Sequence, residues 1–432
     1  MTTSSLSGRA RRRDEILAAA AGLFADEGYR NTSMREVAAA SGILAGSLYH
    51  HFPSKEAIAV ELVEQYHADL DRVVRNFMPP ARPPGGDGPG ATVPVAALRA
   101  FARAIAEASF RNRAARQISM YDAPTAASSS LKTVVRAEPA SVDQLWSTLI
   151  SAAVAAGATD PRVDGQILRH VLRETMPQAG VMTGEQGEPS GGPAAVADCT
   201  TTILFDGLAS AGTALPEADG TSAAIRAVSE ACERWAAEAE GRLRERRGVI
   251  LDTARAQFAL RGFDATTVRD IADAAGIPAG NLYRSFESKD AMITAILSEF
   301  SDRLLDAYQA VHTAGGSAVE SLEAICWLLN QAGRHFSPEI DMLKGNGRVL
   351  SLAVASHYRD GARSRYAMLV DLIDRGVTTG EIRDIAAPAL VAACVREVMW
   401  APMRAMAPIA PARVREFIRH AILAGAARPQ SS

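Results

Sequence analysis

The chain has 432 residues, 48% of them apolar and only 6% aromatic, and a formal charge of −3. That length exceeds what one hydrophobic core serves, so several domains are expected, and the near-neutral balance excludes a global positive field. Cys199, Cys232, Cys326 and Cys394 lie too far apart for a disulfide framework or a zinc site and are expected as reduced, buried thiols.

Heavy use of Ala and Leu, without an alternating valine-isoleucine run, favours an all-α chain. Residues 1–8 are small and polar and are expected as a disordered tail. The N-terminal stretch 1–13 lacks an apolar core behind its charges, and the most apolar late stretch, 386–410, is broken by Arg396, Glu397 and Arg404. No membrane span is therefore expected, and the protein is expected in the cytoplasm. A first helix follows at 13–26, with Ile16, Leu17, Ala20, Leu23 and Phe24 on one face, and Gly28 closes it.

Ser33 and Glu36 form a capping box for the next helix, which Gly42 ends. A very short helix at 45–51 and a long one from Lys55, capped by Ser54, complete the group. Two helices around a Gly-containing turn of this length read as a helix-turn-helix. The stretch from Thr32 to Lys55 is then written again, without gaps, from Thr266 to Lys289. Phe24 pairs with Phe258, Gly28 with Gly262, Arg35 with Arg269, Gly42 with Gly276, Tyr49 with Tyr283, and Lys55 with Lys289.

The pattern of Thr32, Ala38, Gly42, Gly46, Leu48, Tyr49, Phe52 and Lys55 resembles the DNA-binding domain of TetR/AcrR-type transcriptional regulators, and so does its second copy. The resemblance implies two units in tandem, each a three-helix head followed by a helical ligand-binding and dimerisation domain. Boundaries are set at 9–55 and 56–215 for the first head and effector domain, 216–241 for a helical connector, and 242–289 and 290–432 for the second head and effector domain. Arg9, Arg11, Arg12 and Arg13 lead into the first head and Arg242, Arg244, Arg246 and Arg247 into the second. Recurrence at equivalent places favours phosphate contact over a solvated flank.

Outside the heads, breaker-rich loops are expected at 79–94 and 180–193, with helices at 96–113, 142–156, 166–176 and 194–211. The second effector domain is expected to follow with helices at 288–311, 318–336, 342–358, 362–375, 388–406 and 412–426. Arg173, Glu174 and Met176 correspond to Arg396, Glu397 and Met399, so the duplication persists weakly beyond the heads. The helices at 142–156 and 166–176 are expected to pack on 362–375 and 388–406, building an intramolecular pseudo-dimer, with further homodimerisation left open.

Outward positions of a recognition helix read base edges while their neighbours grip phosphate. The DNA-contacting set is Arg35, Ala45, Gly46, Ser47, Tyr49, His50 and Lys55 in the first head, and Arg269, Ala279, Gly280, Asn281, Tyr283, Arg284 and Lys289 in the second. Gly46 and Gly280 permit close backbone approach. Arg284 suits guanine and Asn281 adenine, though both also suit phosphate, and Tyr49 is alternatively partly core. Leu44 and Pro278 depart from the family's capping Ser or Thr, and Ala45 and Ala279 from its Lys. His50 and His51 point about 100° apart on a helix and lack further ligands, so no metal is expected.

Candidate effector-pocket residues are Phe110, Met120, Tyr121 and Trp146 in the first unit and Trp327, His335, Met342 and Tyr358 in the second, against the commoner reading that such side chains are core. The expected partners are an operator in double-stranded DNA and a small-molecule effector, with no cofactor. The competing readings are an enzyme, for which no Walker loop, dinucleotide fingerprint, metalloprotease motif or G-x-S-x-G is present, and a sensor or scaffold with an inactive head.

Overall fold

The computed structural model describes residues 3–78, 94–122, 129–137, 139–179, 191–216, 222–242, 244–263, 265–346 and 352–428. These residues are helical, with two isolated β-bridges and no strand. The expected loops at 79–94 and 180–193 fall mostly outside them.

In the first unit α1 (Thr3–Asp26), α2 (Met34–Ala40) and α3 (Ala45–His51) form the head. The effector domain follows with α4 (Lys55–Phe77), α5 (Pro94–Arg111), α6 (Arg113–Gln117) running into a π turn (Ile118–Asp122), α7 (Ser129–Arg136), α8 (Ala140–Ala155), α9 (Gly165–Ala179) and α10 (Gly192–Asp206). Helix α1 begins at Thr3, so the tail expected over 1–8 is helical from that point. Once a turn is nucleated, each further residue adds one hydrogen bond for one residue fixed. Helix α5 sits centrally, packed by α4, α8, α9 and α10. Phe101 on it meets the fully buried Trp146 of α8 at 4.5 Å between ring centres.

The second unit repeats the plan with α12 (Arg246–Arg261), α13 (Val268–Ala274), α14 (Ala279–Tyr283), α15 (Lys289–Ala314), α16 (Ala318–His335), α17 (Ser337–Asn346), α18 (Leu352–Thr378), α19 (Pro388–Trp400), α20 (Met403–Met406) and α21 (Pro411–Phe417), which ends in a π turn (Ile418–Leu423). The single helix expected at 342–358 is two, α17 and α18. The one expected at 388–406 breaks at Pro402, whose ring fits the end of α19 but not its interior.

Between the units lies α11 (Ala223–Arg242). A helical connector was expected here over 216–241, and α11 lies along α15 and α16, with Trp235 edge-on to Phe336 at 4.8 Å and Glu238 bonded to Arg303 at 2.6 Å. The apolar stripe of Ile225, Val228 and Trp235 needs a surface to cover it, and its own unit supplies one. The turn into α12 depends on Gly248, where a Cβ would overlap the Arg242 carbonyl.

The two units meet through reciprocal backbone hydrogen bonds. Leu208 N donates to Ile422 O as Ala426 N donates to Leu204 O, and Ala209 N to Leu423 O as Ala427 N to Phe205 O. Asp160 N donates to Ala426 O as Arg383 N donates to Leu208 O. Each bond has its partner with the roles of the units exchanged, which is the signature of a twofold relation. The main elements at this interface are α9 and α10 against α19 and the final π turn, together with the first unit's π turn against α17. Helices α8 and α18, expected to cross-pack, instead pack within their own units, because α4 and α5, and α15 and α16, already claim their apolar faces.

Candidate nucleic-acid interface

Local sequence builds both heads alike. Ser33 Oγ accepts from Glu36 N at 3.3 Å while the Glu36 carboxylate accepts from Ser33 N at 2.6 Å, and Thr267 and Asp270 repeat the box at 3.1 and 2.8 Å. The Ser33 amide holds the Glu36 carboxyl below its ordinary pKa, and the Thr267 hydroxyl, donating to Asp270 at 2.6 Å, does the same there with the Thr267 amide. Gly42 and Gly276 then turn the chain at φ values of 67° and 65°, where a Cβ is disfavoured. Leu48 and Leu282 anchor the recognition helices α3 and α14 to the core, both fully buried.

Two braces recur across the heads. Arg13 stacks its guanidinium 4.0 Å from the Phe52 ring centre and donates to His51 O at 2.5 Å; Arg247 lies 4.1 Å over Phe286 and donates to Ser285 O at 2.8 Å. Both cap the end of a recognition helix, where the carbonyl dipoles favour a cation. Lys55 Nζ donates to the carbonyls of Tyr29, Arg30 and Thr32 at 2.7, 3.2 and 2.8 Å, and Lys289 Nζ to that of Phe263 at 2.7 Å. Each ammonium also lies over the ring of residue 29 or 263. The phosphate role expected of Lys55, Lys289, Arg13 and Arg247 therefore competes with an internal one: an ammonium has three donors, and Lys55 uses them inside the head. Arg12 likewise pairs with Glu15 and Arg242 with Asp252.

Outward from this frame stand Arg35, Ser47, Tyr49 and His50, and in the second head Arg269, Tyr283 and Arg284. Tyr49 is 54% and Tyr283 55% exposed, so neither is core. Ala45, Ala279 and Asn281 are half-buried. A Cβ built at Gly46 or Gly280 meets nothing within 4 Å, so no packing inside the protein calls for glycine there. What glycine leaves is room on the outside. Arg284 donates to Asn281, tying the two expected base readers together. Leu44 is 81% exposed at the N-cap of α3 with no capping bond. Its exposure sets it on the same outer face as Ala45 and Ser47, a place legible in the sequence as an apolar residue where a cap is wanted. The head at 9–55 has seven basic and five acidic side chains and that at 242–289 nine and six, so both are positive on a chain of net charge −3.

The sequence signature described as bacterial regulatory proteins, tetR family, matches at residues 16–62 and again at 250–296. The HTH-type transcriptional repressor KstR2 of Mycobacterium tuberculosis is 33% identical over 172 residues, which are 40% of this chain and 86% of that protein. The chain belongs to the TetR family. KstR2 of Rhodococcus jostii is 33% identical over 167 residues, 37% of this chain and 78% of its own. A solved structure of the ketosteroid transcriptional regulator KstR2 of M. tuberculosis is 30% identical with a TM-score of 0.40, covering 43% of this chain and 96% of that one. With two signature matches and relatives that each span about two fifths of it, this is a DNA-binding transcription regulator made of two TetR-type units in tandem.

The expected effector-pocket residues of these units do not come together. Trp146 is fully buried in the first core, and Met342 packs into the core of the second head. His335 is exposed beside Trp235, and Tyr358 stacks on Phe300 at 6.1 Å under Arg365. Phe110, Met120 and Trp327 are half-buried, and the side chain of Tyr121 lies outside the described residues. Cavities among the described residues lie elsewhere, and none of the eight lines either of the following two. One, of about 20 Å³, lies in the second unit among Tyr308, Ser321, Ile325 and Leu372 and has room for about one water. The other, of about 510 Å³, opens in the first unit between α1, α4 and the α5–α6 corner.

Burial raises the thiol pKa of Cys232 to about 11 and of Cys326 to about 12, and all four cysteines are free. Among the described residues no group of three or more His, Cys, Asp or Glu side chains forms a metal site, and no helix is long and apolar enough to cross a membrane.

Proposed function

We propose that this regulator is a ligand-responsive repressor in which the two heads of one chain read the two unequal halves of a single operator. The reciprocal hydrogen bonding between the units carries this reading: a twofold-related pair of helix-turn-helix heads is what a pseudo-palindromic operator requires. Arg35, Ala45, Gly46, Ser47, Tyr49 and His50 would meet one half-site, and Arg269, Ala279, Gly280, Asn281, Tyr283 and Arg284 the other. The sense of regulation follows the KstR2 relatives, which are described as repressors. A small-molecule effector would act by changing the separation or orientation of the heads.

The test is footprinting on DNA from the protein's own upstream region, with light scattering of the complex. One chain protecting two adjacent half-sites of different sequence supports the reading; two chains per operator, each using one head, overturns it. A second reading, a sensor or scaffold whose second head is silent, is favoured by the Arg284–Asn281 bond, which engages both base readers with each other. Protection of one half-site alone would select it.

A further inference from the structure

The 510 Å³ groove of the first unit gains meaning from its equivalent in the second. Ala18, Ala21 and Gln65 line it in the first unit; the repeat places Asp252, Arg255 and Glu299 at the same positions. Arg111, Asn112 and Ala115 at the α5–α6 corner correspond to His335, Phe336 and Glu339 at the α16–α17 corner, since both corners break after an 18-residue helix. In the second unit this space is filled. Arg255, 8% exposed, pairs with Glu339 at 2.5 Å, with Glu299 at 3.5 Å and with Asp252. Over it lies the connector α11, with the Trp235 ring against His335 and Phe336, the Glu238 carboxylate on Arg303, and Arg242 on Asp252.

At this joint the connector thus supplies the second unit with an aromatic ring and a carboxylate, whereas in the first unit the carboxylates present, Asp14 and Asp69, come from α1 and α4 themselves. In the first unit Leu17, Ala18, Ala21 and Leu62 give an apolar floor, and the rim carries the guanidinium groups of Arg111 and Arg113 together with the Asp14 carboxylate, Gln65 and Asn112. Asp69 accepts from Nε and Nη2 of Arg111, and among the described residues Arg113 pairs with Asp26 at a long 3.8 Å and lies 5.8 Å from the Phe110 ring centre. The volume falls within the roughly 300–1,000 Å³ of small-molecule sites.

We infer that this groove binds an amphipathic organic anion, its flat apolar body on Leu17, Ala18, Ala21 and Leu62 and its anionic group at Arg111 and Arg113, and that this ligand acts on the first head alone. Helix α1 belongs to the head and α4 to α6 to the effector domain, so a body wedged between them sets the angle at which α3 is presented. The second head has no such freedom, because α11 and the Arg255 cluster occupy its joint. The inference rests on the ligand-responsive reading above and gives it a site and a ligand class.

The probe is 1-anilinonaphthalene-8-sulfonate, an aromatic anion whose fluorescence rises in apolar surroundings, titrated into the full chain. One saturable site per chain is expected, weakened about tenfold or more by Arg113→Gln and by the pair Ala21→Arg with Ala115→Glu, which installs the second unit's own ion pair. Circular dichroism checks that each variant is folded, and Val154→Gln, at an exposed apolar residue elsewhere, should leave the titration unchanged. With DNA present, the probe should alter protection of one half-site and spare the other. Saturable binding that both groove variants leave intact, or no saturable binding, overturns the inference. If two half-sites are protected but the probe affects neither or both equally, the ligand site fails while the operator reading stands; if no half-site is protected, the operator reading fails whatever the probe does.

Discussion

Gly207 and Gly425 pack against each other across the joint between the two units: a Cβ on Gly207 would overlap the backbone of Leu423 and Ala424, and one on Gly425 the backbone of Asp206 and Gly207. Both have positive φ, 75° and 91°. Each follows the last long helix of its unit, so the two are equivalents meeting near a common axis. Gly207→Ala or Gly425→Ala should cost about 2–5 kcal/mol, combining backbone strain with overpacking. Urea unfolding checks the magnitude. The joint should loosen first, so hydrogen exchange should rise at the amides of Leu208 and Ala426; unchanged protection there would count against this account.

Lys55 and Arg35 should separate folding from DNA binding. Lys55→Met removes three charge-assisted bonds to backbone carbonyls and should destabilise the first head by about 1.5–3 kcal/mol. Arg35→Ala, at an exposed position, should leave the melting temperature alone while flattening the salt dependence of DNA binding by about 0.9 in slope. Arg269→Ala should act likewise in the second head. A Lys55 variant that is fully stable but flattens the salt slope would restore a phosphate role.

The unequal recognition helices predict unequal effects of substitution. Arg284→Ala should cost about 1–3 kcal/mol on an intact operator and little on one whose second half is scrambled. Asn281→Ala should resemble it, because the two side chains are bonded to each other and act as a pair. Ser47→Ala should be sensitive to the other half. Equal losses on both scrambled operators would mean that neither head has an assigned half-site.

Stability should fall in mild acid. Burial first, then Arg169, holds His170 below the ordinary histidine pKa; burial and Arg162 do the same to His420. The folded state therefore takes up protons less readily than the unfolded chain. Their contribution is complete above about pH 6.5 and is lost as pH falls through the folded values. His170→Gln with His420→Gln should reduce the drop in urea midpoint between about pH 7.5 and 5.5. An equal drop would place the acid sensitivity elsewhere.

By itself the sequence determined what is local or repeated. The capping box at Ser33, the turns at Gly42 and Gly276, the all-α class and the tandem family units depend on residues a few positions apart or on comparing one copy with the other, and each is as read. Tertiary structure decided the rest, because a residue type fixes what a side chain can bond to but not which group folding brings to it. Lys55 reads as a phosphate ligand in the sequence, and only the fold shows that carbonyls 23 to 26 residues away accept hydrogen bonds from its ammonium. Periodicity gave α11 an apolar face without saying that its own unit would cover it, or that α9 and α10, rather than α8, would meet the second unit. Met342 looked like pocket lining and became part of a head's core, while the groove that does open is lined by small residues such as Ala18 and Ala21, whose meaning comes from the larger side chains standing at the same places in the other unit.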